Sequence, residues 1–172
     1  MRTLFLDVDT QLDFLYPAGA LYVPGAEQIV PAIAALNRYA MSRGIPLLST
    51  VDAHTEDDPE FKTWPAHCVA GALGQRKPAA TLVGQRLIEK QSVDCFTAPT
   101  LAPLLAELNA DRYVVYGVVT EICVLNAARG LPQFGQPIEI VAEAVKELSS
   151  AAAAAVRQQF RFVDLSQCMQ YS

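Results

Sequence analysis

Cys123 lies in a sequence environment that suits a reactive thiol. The apolar run at residues 113–116 predicts a core strand, and Gly117 permits a sharp turn directly after it. A helix start is predicted at Thr120. Backbone amides at a helix start lower the pKa of a thiol and can also hold an oxyanion. Cys123 is therefore a candidate nucleophile, although a small buried hydrophobic residue would suit the same position.

A thiol needs a base before it attacks a carbonyl or amide carbon. The usual base is a histidine, yet an aspartate and a lysine can serve together. Asp9 could take the thiol proton and later pass it to a leaving amine, while the ammonium of Lys90 stabilises both anions. Taken singly, Asp9 could be a turn residue and Lys90 a solvated strand end. Their convergence on Cys123 decides between these interpretations.

The only two histidines of the chain follow the second predicted strand. Asp52 and His54 form a DxH pair, and His67 lies further along the same polar loop. One carboxylate and two imidazoles can bind a divalent cation and leave positions open for water or substrate. A DxH pair alone also fits a solvated loop, so these residues are candidate ligands.

Apolar β-rich runs alternate with helical patterns along the chain, which indicates parallel βαβ units. We predict an α/β fold with a three-layer, doubly wound and mostly parallel sheet of about six strands. The predicted strands are residues 3–8, 46–51, 86–89, 113–116, 138–141 and 160–163, and the predicted helices are residues 26–42, 99–108, 120–131 and 149–159.

Ligands of such sheets bind at the carboxyl ends of the strands. This rule brings the candidate thiol, carboxylates, ammonium and imidazole to one edge of the sheet. A long polar loop at residues 52–80 follows the second strand, and loops of that length usually carry function.

Composition limits the classes of partner. A length of 172 residues with 52% hydrophobic content suits a single domain. The net charge of -5 argues against nucleic acid, so we expect a small-molecule ligand. No apolar run reaches membrane-spanning length and no signal segment is evident, which predicts a cytoplasmic protein without a membrane partner. The four cysteines contain no CxxC pair, and free thiols are expected.

Several motifs together resemble the isochorismatase-like cysteine hydrolases, most closely the nicotinamidase branch. The resemblance covers most of the chain, and its first and last motifs are the most specific. The motifs are DTQLDF at 9–14, GAL at 19–21, VPG at 23–25, DAH at 52–54, WPAHCV at 64–69, Lys90, Asp94 with Phe96, and GVVTEICV at 117–124.

The resemblance implies roles for individual residues. Asp9, Lys90 and Cys123 would be catalytic, and the backbone amides of Val119 and Cys123 would form an oxyanion hole beside a cis peptide bond between Val118 and Val119. Phe14 and Trp64 would flank a planar substrate ring. The implied cofactor is a divalent metal, zinc first with iron or manganese as alternatives, and its ligands would be Asp52, His54 and His67. Where many nicotinamidases have a further loop histidine, this chain offers Asp58 or its neighbour.

The expected function is hydrolysis of nicotinamide, or a related carboxamide, to the acid and ammonia through a thioester. Residues 1–172 would form one isochorismatase-like hydrolase domain, with a Rossmann-like topology and a tendency to form homo-oligomers. One alternative is a relative acting on isochorismate, a carbamoyl amide or a ureido acid; another is a non-catalytic binder of small molecules. A nucleotide-binding Rossmann domain is disfavoured, because no GxGxxG turn follows the first strand.

Overall fold

The computed structural model describes residues 1–172 and is built around a six-stranded, all-parallel sheet. The second and third strands extend to one side of β1, whereas the last three strands extend to the other side. The chain order therefore reverses between β1 and β4. This reversal is the topological switch point at which α/β sheets bind ligands. The predicted fold class is therefore confirmed. The strands are β1 (Thr3–Val8), β2 (Leu47–Asp52), β3 (Arg86–Lys90), β4 (Arg112–Val118), β5 (Ile138–Lys146) and β6 (Arg161–Val163), in the order β3-β2-β1-β4-β5-β6.

Helices cover both faces of the sheet, and none of them combines the length and apolar character needed to cross a membrane. The predicted helix at 120–131 is instead a π-helical turn, Thr120–Val124, followed by α4 and a 3₁₀ turn. The four-residue helices α1 and α6 were not predicted, because they are too short to show a helical period. The helices are α1 (Leu12–Leu15), α2 (Val30–Arg43), α3 (Leu101–Leu108), α4 (Leu125–Gly130), α5 (Ser150–Gln159) and α6 (Leu165–Cys168).

The central strand β1 is buried along its whole length, as expected of a parallel strand covered on both faces. It pairs with β2 on one side and β4 on the other. Gly117 of β4 has a φ of 122° and lies opposite Val8, so close that a Cβ atom at this position would overlap the Val8 carbonyl oxygen. Glycine is therefore required where β4 passes the end of β1.

The side chain of Gln11 continues the pairing of β1 with β2 after the backbone of β1 turns away. Its Nε2 donates to the carbonyl oxygen of Asp52 at 2.9 Å, and its Oε1 accepts from the Asp52 amide at 2.7 Å. Nε2 also donates to the carbonyl oxygen of Gln75 at 2.8 Å. One side chain thus joins the ends of β1 and β2 to the long loop that follows β2.

Candidate active site

The candidate catalytic residues and the first candidate metal ligand lie together at the carboxyl edge of the sheet. Asp9 follows β1, Asp52 and Lys90 end β2 and β3, and Cys123 lies in the π-helical turn after β4. All four residues are buried. Asp9 has a left-handed φ of 53°, a conformation that aspartate tolerates better than most residues, and this turn sends its side chain back over the sheet edge.

Asp9 is held by one neighbour on each side of its carboxylate. Thr50 donates its hydroxyl to Oδ1 at 2.6 Å, and the ammonium of Lys90 lies 2.8 Å from Oδ2. Burial raises the pKa of Asp9 above its ordinary value of 3.8, because its effect is larger than the opposing effect of the Lys90 charge. The carboxylate is thus both oriented and more basic than an exposed aspartate.

Lys90 also contacts the Asp52 carboxylate and donates to the Ser92 carbonyl oxygen at 2.8 Å. Burial favours the uncharged form of Lys90 and so lowers its pKa. The surrounding anions, among which Asp9 has the largest effect, outweigh burial and raise the pKa well above 10.5. A permanent cation therefore lies between two carboxylates. Burial alone would raise the pKa of Asp52, but the nearby imidazoles of His54 and His67 and the ammonium of Lys90 outweigh it and lower that pKa.

The Cys123 thiol lies at the inner wall of a cavity beside this charged cluster. Burial raises its pKa well above 9.0; Lys90 opposes this, while the charge of Asp9 and a hydrogen bond with Asp9 add to it. The resting group is a neutral thiol, so it needs a base in contact with it before it can attack. Asp9 is that neighbour.

The peptide bond between Val118 and Val119 is cis, as the resemblance implied. The amide of Val119 donates to no acceptor within the protein, while its carbonyl oxygen accepts from the Ile122 and Val124 amides at 3.0 and 3.2 Å. An unpaired donor next to the nucleophile is the feature that an oxyanion hole requires. Glu121 holds this turn from outside, because its Oε1 accepts from the Leu148 and Ser149 amides at 3.0 and 2.7 Å.

The three candidate metal ligands form one compact group beside the cavity. Asp52 Oδ2 lies 3.6 Å from His54 Nε2 and 3.8 Å from His67 Nε2, and all three atoms are within 4.8 Å of one another. Backbone bonds cause this approach, since the His54 amide donates to the Cys68 carbonyl oxygen at 3.1 Å and the Ala70 amide donates to the His54 carbonyl oxygen at 2.9 Å.

The tautomers of both histidines suit metal binding. His54 Nδ1 lies 2.9 Å from Asp58 Oδ2, and His67 Nδ1 lies 2.6 Å from the Pro65 carbonyl oxygen. Both partners are acceptors, so each Nδ1 carries a proton and, in the neutral ring, each Nε2 presents a lone pair. The buried Nε2 of His54 has no hydrogen-bond partner. Burial lowers the pKa of His54, yet the nearby carboxylates of Asp52 and Asp58 raise it to about 9, so a metal ion bound at Nε2 would displace a proton that these anions otherwise stabilise. These residues fit a divalent metal.

Asp58 does not direct a free oxygen towards this group. Its Oδ2 contacts His54 and its Oδ1 accepts from the Glu60 amide at 2.9 Å. Glu60 Oε2 instead lies 3.9 Å from His54 Nε2, and Glu60 lines the cavity. His54, Asp58 and Glu60 form a second group of atoms within 4.8 Å of one another, separate from the group of Asp52, His54 and His67. Asp58 lies behind His54 as an orienting group, and Glu60 is a candidate for a fourth ligand.

The cavity encloses about 380 Å³, including its open mouth, and nine of its twelve lining residues, Cys123 among them, are hydrophobic. Cys123 lines it together with Asp52, Glu60 and His67, whereas no lysine or arginine does. Phe14 and Trp64 both line it, as the resemblance implied, and the other hydrophobic lining residues are Leu21, Val23, Val93, Val119, Ile122 and Leu148.

Several contributors to the site were not identified from the sequence. The ring of Phe61 packs against both histidines, with centroids 5.4 Å from His54 and 5.6 Å from His67. Leu148 reaches the cavity from the end of β5, more than twenty residues after the nucleophile. Neither lies in a recognisable motif. For Glu60, a carboxylate six residues after His54 in the same loop was the available signal.

Comparisons with known proteins show the family to which this chain belongs. The family model described as the isochorismatase domain matches residues 3–168. A nicotinamidase of Acinetobacter baylyi is 26% identical over 175 residues, covering 82% of this chain and 79% of that protein.

Two solved structures are similar over nearly their whole length. The pyrazinamidase of Pyrococcus horikoshii in complex with zinc has a TM-score of 0.88 at 25% identity, covering 95% of this chain and 99% of the other. The PnC1 protein of L. infantum in complex with nicotinate has a TM-score of 0.86 at 26% identity, covering 95% and 93%. Because the family model matches residues 3–168, nearly the whole of this chain, the chain belongs to the isochorismatase family of hydrolases.

Proposed function

We propose that this protein is a cysteine amidohydrolase that converts nicotinamide, or a close neutral relative, to the acid and ammonia. The observation that carries the proposal is the shared cavity, which Cys123 and the metal-binding group both line. A planar ring with a carboxamide on one side and a lone-pair nitrogen on the other could contact both groups at once. Phe14 and Trp64 would flank that ring.

Asp9, Lys90 and Cys123 form the proposed catalytic set. Sγ of Cys123 attacks the carboxamide carbon while its proton moves to the Asp9 carboxylate, and the oxygen of the amide takes the negative charge. Asp9 then donates that proton to the departing nitrogen, ammonia leaves, and a thioester remains. Lys90 holds the Asp9 carboxylate in place and offsets the negative charge during both transfers.

The thioester is then hydrolysed by water. Asp9, unprotonated again, takes a proton from that water as the water attacks the carbonyl carbon. The carbon–sulfur bond then breaks, the Cys123 sulfur takes this proton from Asp9, and the acid is released. In both steps the amides of Val119 and Cys123 would donate to the oxyanion, and the unpaired state of the Val119 amide supports this assignment.

Asp52, His54, His67 and Glu60 would hold the metal ion, with zinc first and iron or manganese as alternatives. When bound, the ion supplies a Lewis-acidic position for a ring nitrogen or for water. Asp58 would keep His54 in the ligating tautomer.

The charged residues that line the cavity favour a neutral substrate over the anionic substrates of the alternative functions. Isochorismate and ureido acids carry carboxylates, which enzymes generally bind with arginine or lysine side chains. Here the polar lining residues, apart from the thiol, are Asp52, Glu60 and His67, and no lysine or arginine side chain lines the cavity. The metal ion would offset the charge of these residues, but a substrate carboxylate would have no arginine or lysine partner in an otherwise apolar pocket, a cost that a neutral carboxamide avoids.

A substrate panel tests the proposal. Ammonia release would be measured with nicotinamide, benzamide, which lacks the ring nitrogen, and N-carbamoylsarcosine, which carries a carboxylate. We expect nicotinamide to be the best substrate, benzamide to be weaker, and N-carbamoylsarcosine to be inert. Turnover of N-carbamoylsarcosine alone would overturn the assignment of a neutral carboxamide. The single domain at residues 1–172, the homo-oligomer and the cytoplasmic location stay predictions.

A further inference from the structure

A second buried lysine–aspartate pair lies directly behind the first. Asp7 precedes Asp9 by two residues, and Lys77 belongs to the long loop after β2. The Lys77 ammonium lies 2.8 Å from Asp7 Oδ2, and both side chains are buried. Neither residue lines a cavity described above, so neither can touch a substrate. Desolvating such a pair costs about as much as its attraction returns, which makes net stability a weak explanation for it.

The pair spans the left-handed turn at Asp9. The hydroxyl of Thr10 donates to Asp7 Oδ1 at 2.6 Å, and the Lys77 ammonium donates to both the hydroxyl and the carbonyl oxygen of Thr10. Residues on both sides of Asp9 are therefore held by one ammonium and one carboxylate. The direction of the Asp9 carboxylate depends on that turn, because a change of backbone angles there would swing it away from Cys123.

The same ammonium fixes the returning end of the long loop. Just before Lys77, the Arg76 carbonyl oxygen accepts from the Leu12 amide at 2.8 Å, and the Gln75 carbonyl oxygen accepts from Gln11. This loop also carries His67 and Trp64. Lys77 thus connects the segment that holds the base with the segment that holds a metal ligand.

A rigid support surrounds Asp7. Its Oδ2 also accepts from Asn37 Nδ2 at 2.9 Å and from the Ser49 hydroxyl at 3.1 Å, and Tyr116 donates to Asn37 Oδ1 at 2.6 Å. Helix α2 and strands β2 and β4 are therefore joined at the charge that Lys77 contacts. Such a fully satisfied network favours one arrangement over others.

We propose that Asp7 and Lys77 are positioning residues, which hold the Asp9 turn in the one conformation that catalysis requires. The inference rests on the proposed function for its turnover test only. Its effect falls on kcat, because the pair supports the backbone turn that carries the base, through Thr10, and does not line the cavity.

Lys77→Met removes the ammonium and keeps most of the stem. We expect kcat for nicotinamide to fall by at least about tenfold with KM changed less than threefold, since small displacements of a catalytic group are costly. Glu139→Gln is the matched control, because it alters a buried carboxylate at the amino end of β5, paired with Arg161 at 3.2 Å and with Tyr171 at 2.7 Å, outside the catalytic set. We expect that variant to lose thermal stability and to keep its kcat.

Thr10 offers a gentler test, should Lys77→Met fail to fold. Thr10→Val removes only the hydroxyl that links Asp7 with Lys77, and Thr10→Ser keeps it. We expect Thr10→Val to lower kcat and Thr10→Ser to restore it. Equal kcat in these two variants, or an equal loss in Lys77→Met and Glu139→Gln, would overturn the proposal.

A readout that needs no substrate separates this inference from the proposed function. Iodoacetamide alkylation of Cys123, followed by peptide mass spectrometry, reports how well Asp9 takes the thiol proton. We expect alkylation to slow by about tenfold in Lys77→Met and Thr10→Val and to be unchanged in Thr10→Ser, whichever amide is the substrate. Wild-type alkylation rates in Lys77→Met and Thr10→Val would overturn the positioning role even if nicotinamide is hydrolysed.

Discussion

Lys90 reaches Asp9 across an intervening strand. β2 lies between β1 and β3, yet Lys90 Nζ is 2.8 Å from Asp9 Oδ2 and also contacts Asp52 at the end of β2. One ammonium therefore serves two carboxylates, and the cluster keeps a net negative charge next to the imidazoles. This excess charge suits both a proton acceptor and a metal site.

Replacing Lys90 tests this arrangement. Lys90→Met would leave Asp9 and Asp52 buried without a cation, at a cost of about 3–5 kcal/mol in the free energy of unfolding. We expect kcat/KM to fall by at least ~10²-fold as well, because the base loses its partner. Denaturant unfolding and ammonia release measure the two effects. Full activity in a folded Lys90→Met protein would contradict the role of Lys90.

Replacing the thiol separates chemistry from folding. Cys123→Ala should lower amide hydrolysis by at least ~10³-fold, as expected when a nucleophile is removed. The side chain is small, so circular dichroism and the cooperativity of thermal unfolding should stay close to those of the wild type. Cys123→Ser is the matched variant and should also be inactive, since Asp9 is a weak base for a hydroxyl. Residual activity in Cys123→Ala would assign the attack to another group.

The pH dependence of kcat/KM follows from the two raised pKa values. Burial raises the pKa of Asp9, and a protonated Asp9 cannot take the thiol proton, so activity falls as the pH drops through that raised value. Burial also raises the pKa of Cys123 well above 9.0, so its thiol keeps its proton at neutral pH. We expect an acid limb above the ordinary aspartate pKa of ~3.9. A thiolate absorbance at pH 7, measured by difference from Cys123→Ala, would contradict this account.

Removing the metal should weaken substrate binding strongly and affect folding less. Chelation, or His67→Ala, should reduce bound metal from one ion per chain to a small fraction, as measured by elemental analysis, and should raise KM for nicotinamide. Lowering the pH should release the ion too, because protons compete for both imidazoles. Unchanged turnover by the metal-free protein would show that the ion is dispensable.

Asp58 and Glu60 are distinguished by a pair of isosteric variants. Asp58→Asn should weaken metal affinity by about 10–100-fold, since it disturbs the orientation of His54 and leaves every ligand in place. Glu60→Gln removes a charged ligand and should also change the preference among zinc, iron and manganese. Competition between metals for each variant gives the answer. A changed preference in Asp58→Asn alone would make Asp58 the ligand.

Much of the fold was predictable because parallel strands are apolar throughout. The predicted strands agree with β1 to β6 within a few residues, except that β5 continues to Lys146 beyond the predicted end at residue 141. The prediction placed Ala142 to Ala144 after the end of the strand. In the structure, the pairing of β5 with β4 shifts register between Val115 and Gly117, and β5 continues through these residues. Such irregular pairing depends on the neighbouring strand, which one segment of sequence does not reveal.

The convergence of Asp9, Lys90 and Cys123 was predictable, because all three follow or end parallel strands whose carboxyl ends meet at one edge of the sheet. The site was less predictable where the role depends on which of two nearby groups turns inward. Asp58 and Glu60 lie two residues apart, and only the 3₁₀ turn Pro59–Lys62 decides which of them faces His54 Nε2. The pairing of Asp7 with Lys77 joins residues seventy positions apart and has no local signature.

Gln11 shows why one position between Asp9 and α1 has a restricted identity. Its amide group offers one donor to a carbonyl oxygen and one acceptor to an N–H of the same residue, Asp52, as a peptide unit of a neighbouring strand would. A glutamate of equal length would set an oxygen against the Asp52 carbonyl, and an asparagine would be too short for the span. The sheet is thus extended by one side chain beyond its last backbone pair, and a residue with no proposed chemical role fixes the position of the candidate metal ligand Asp52 relative to Asp9.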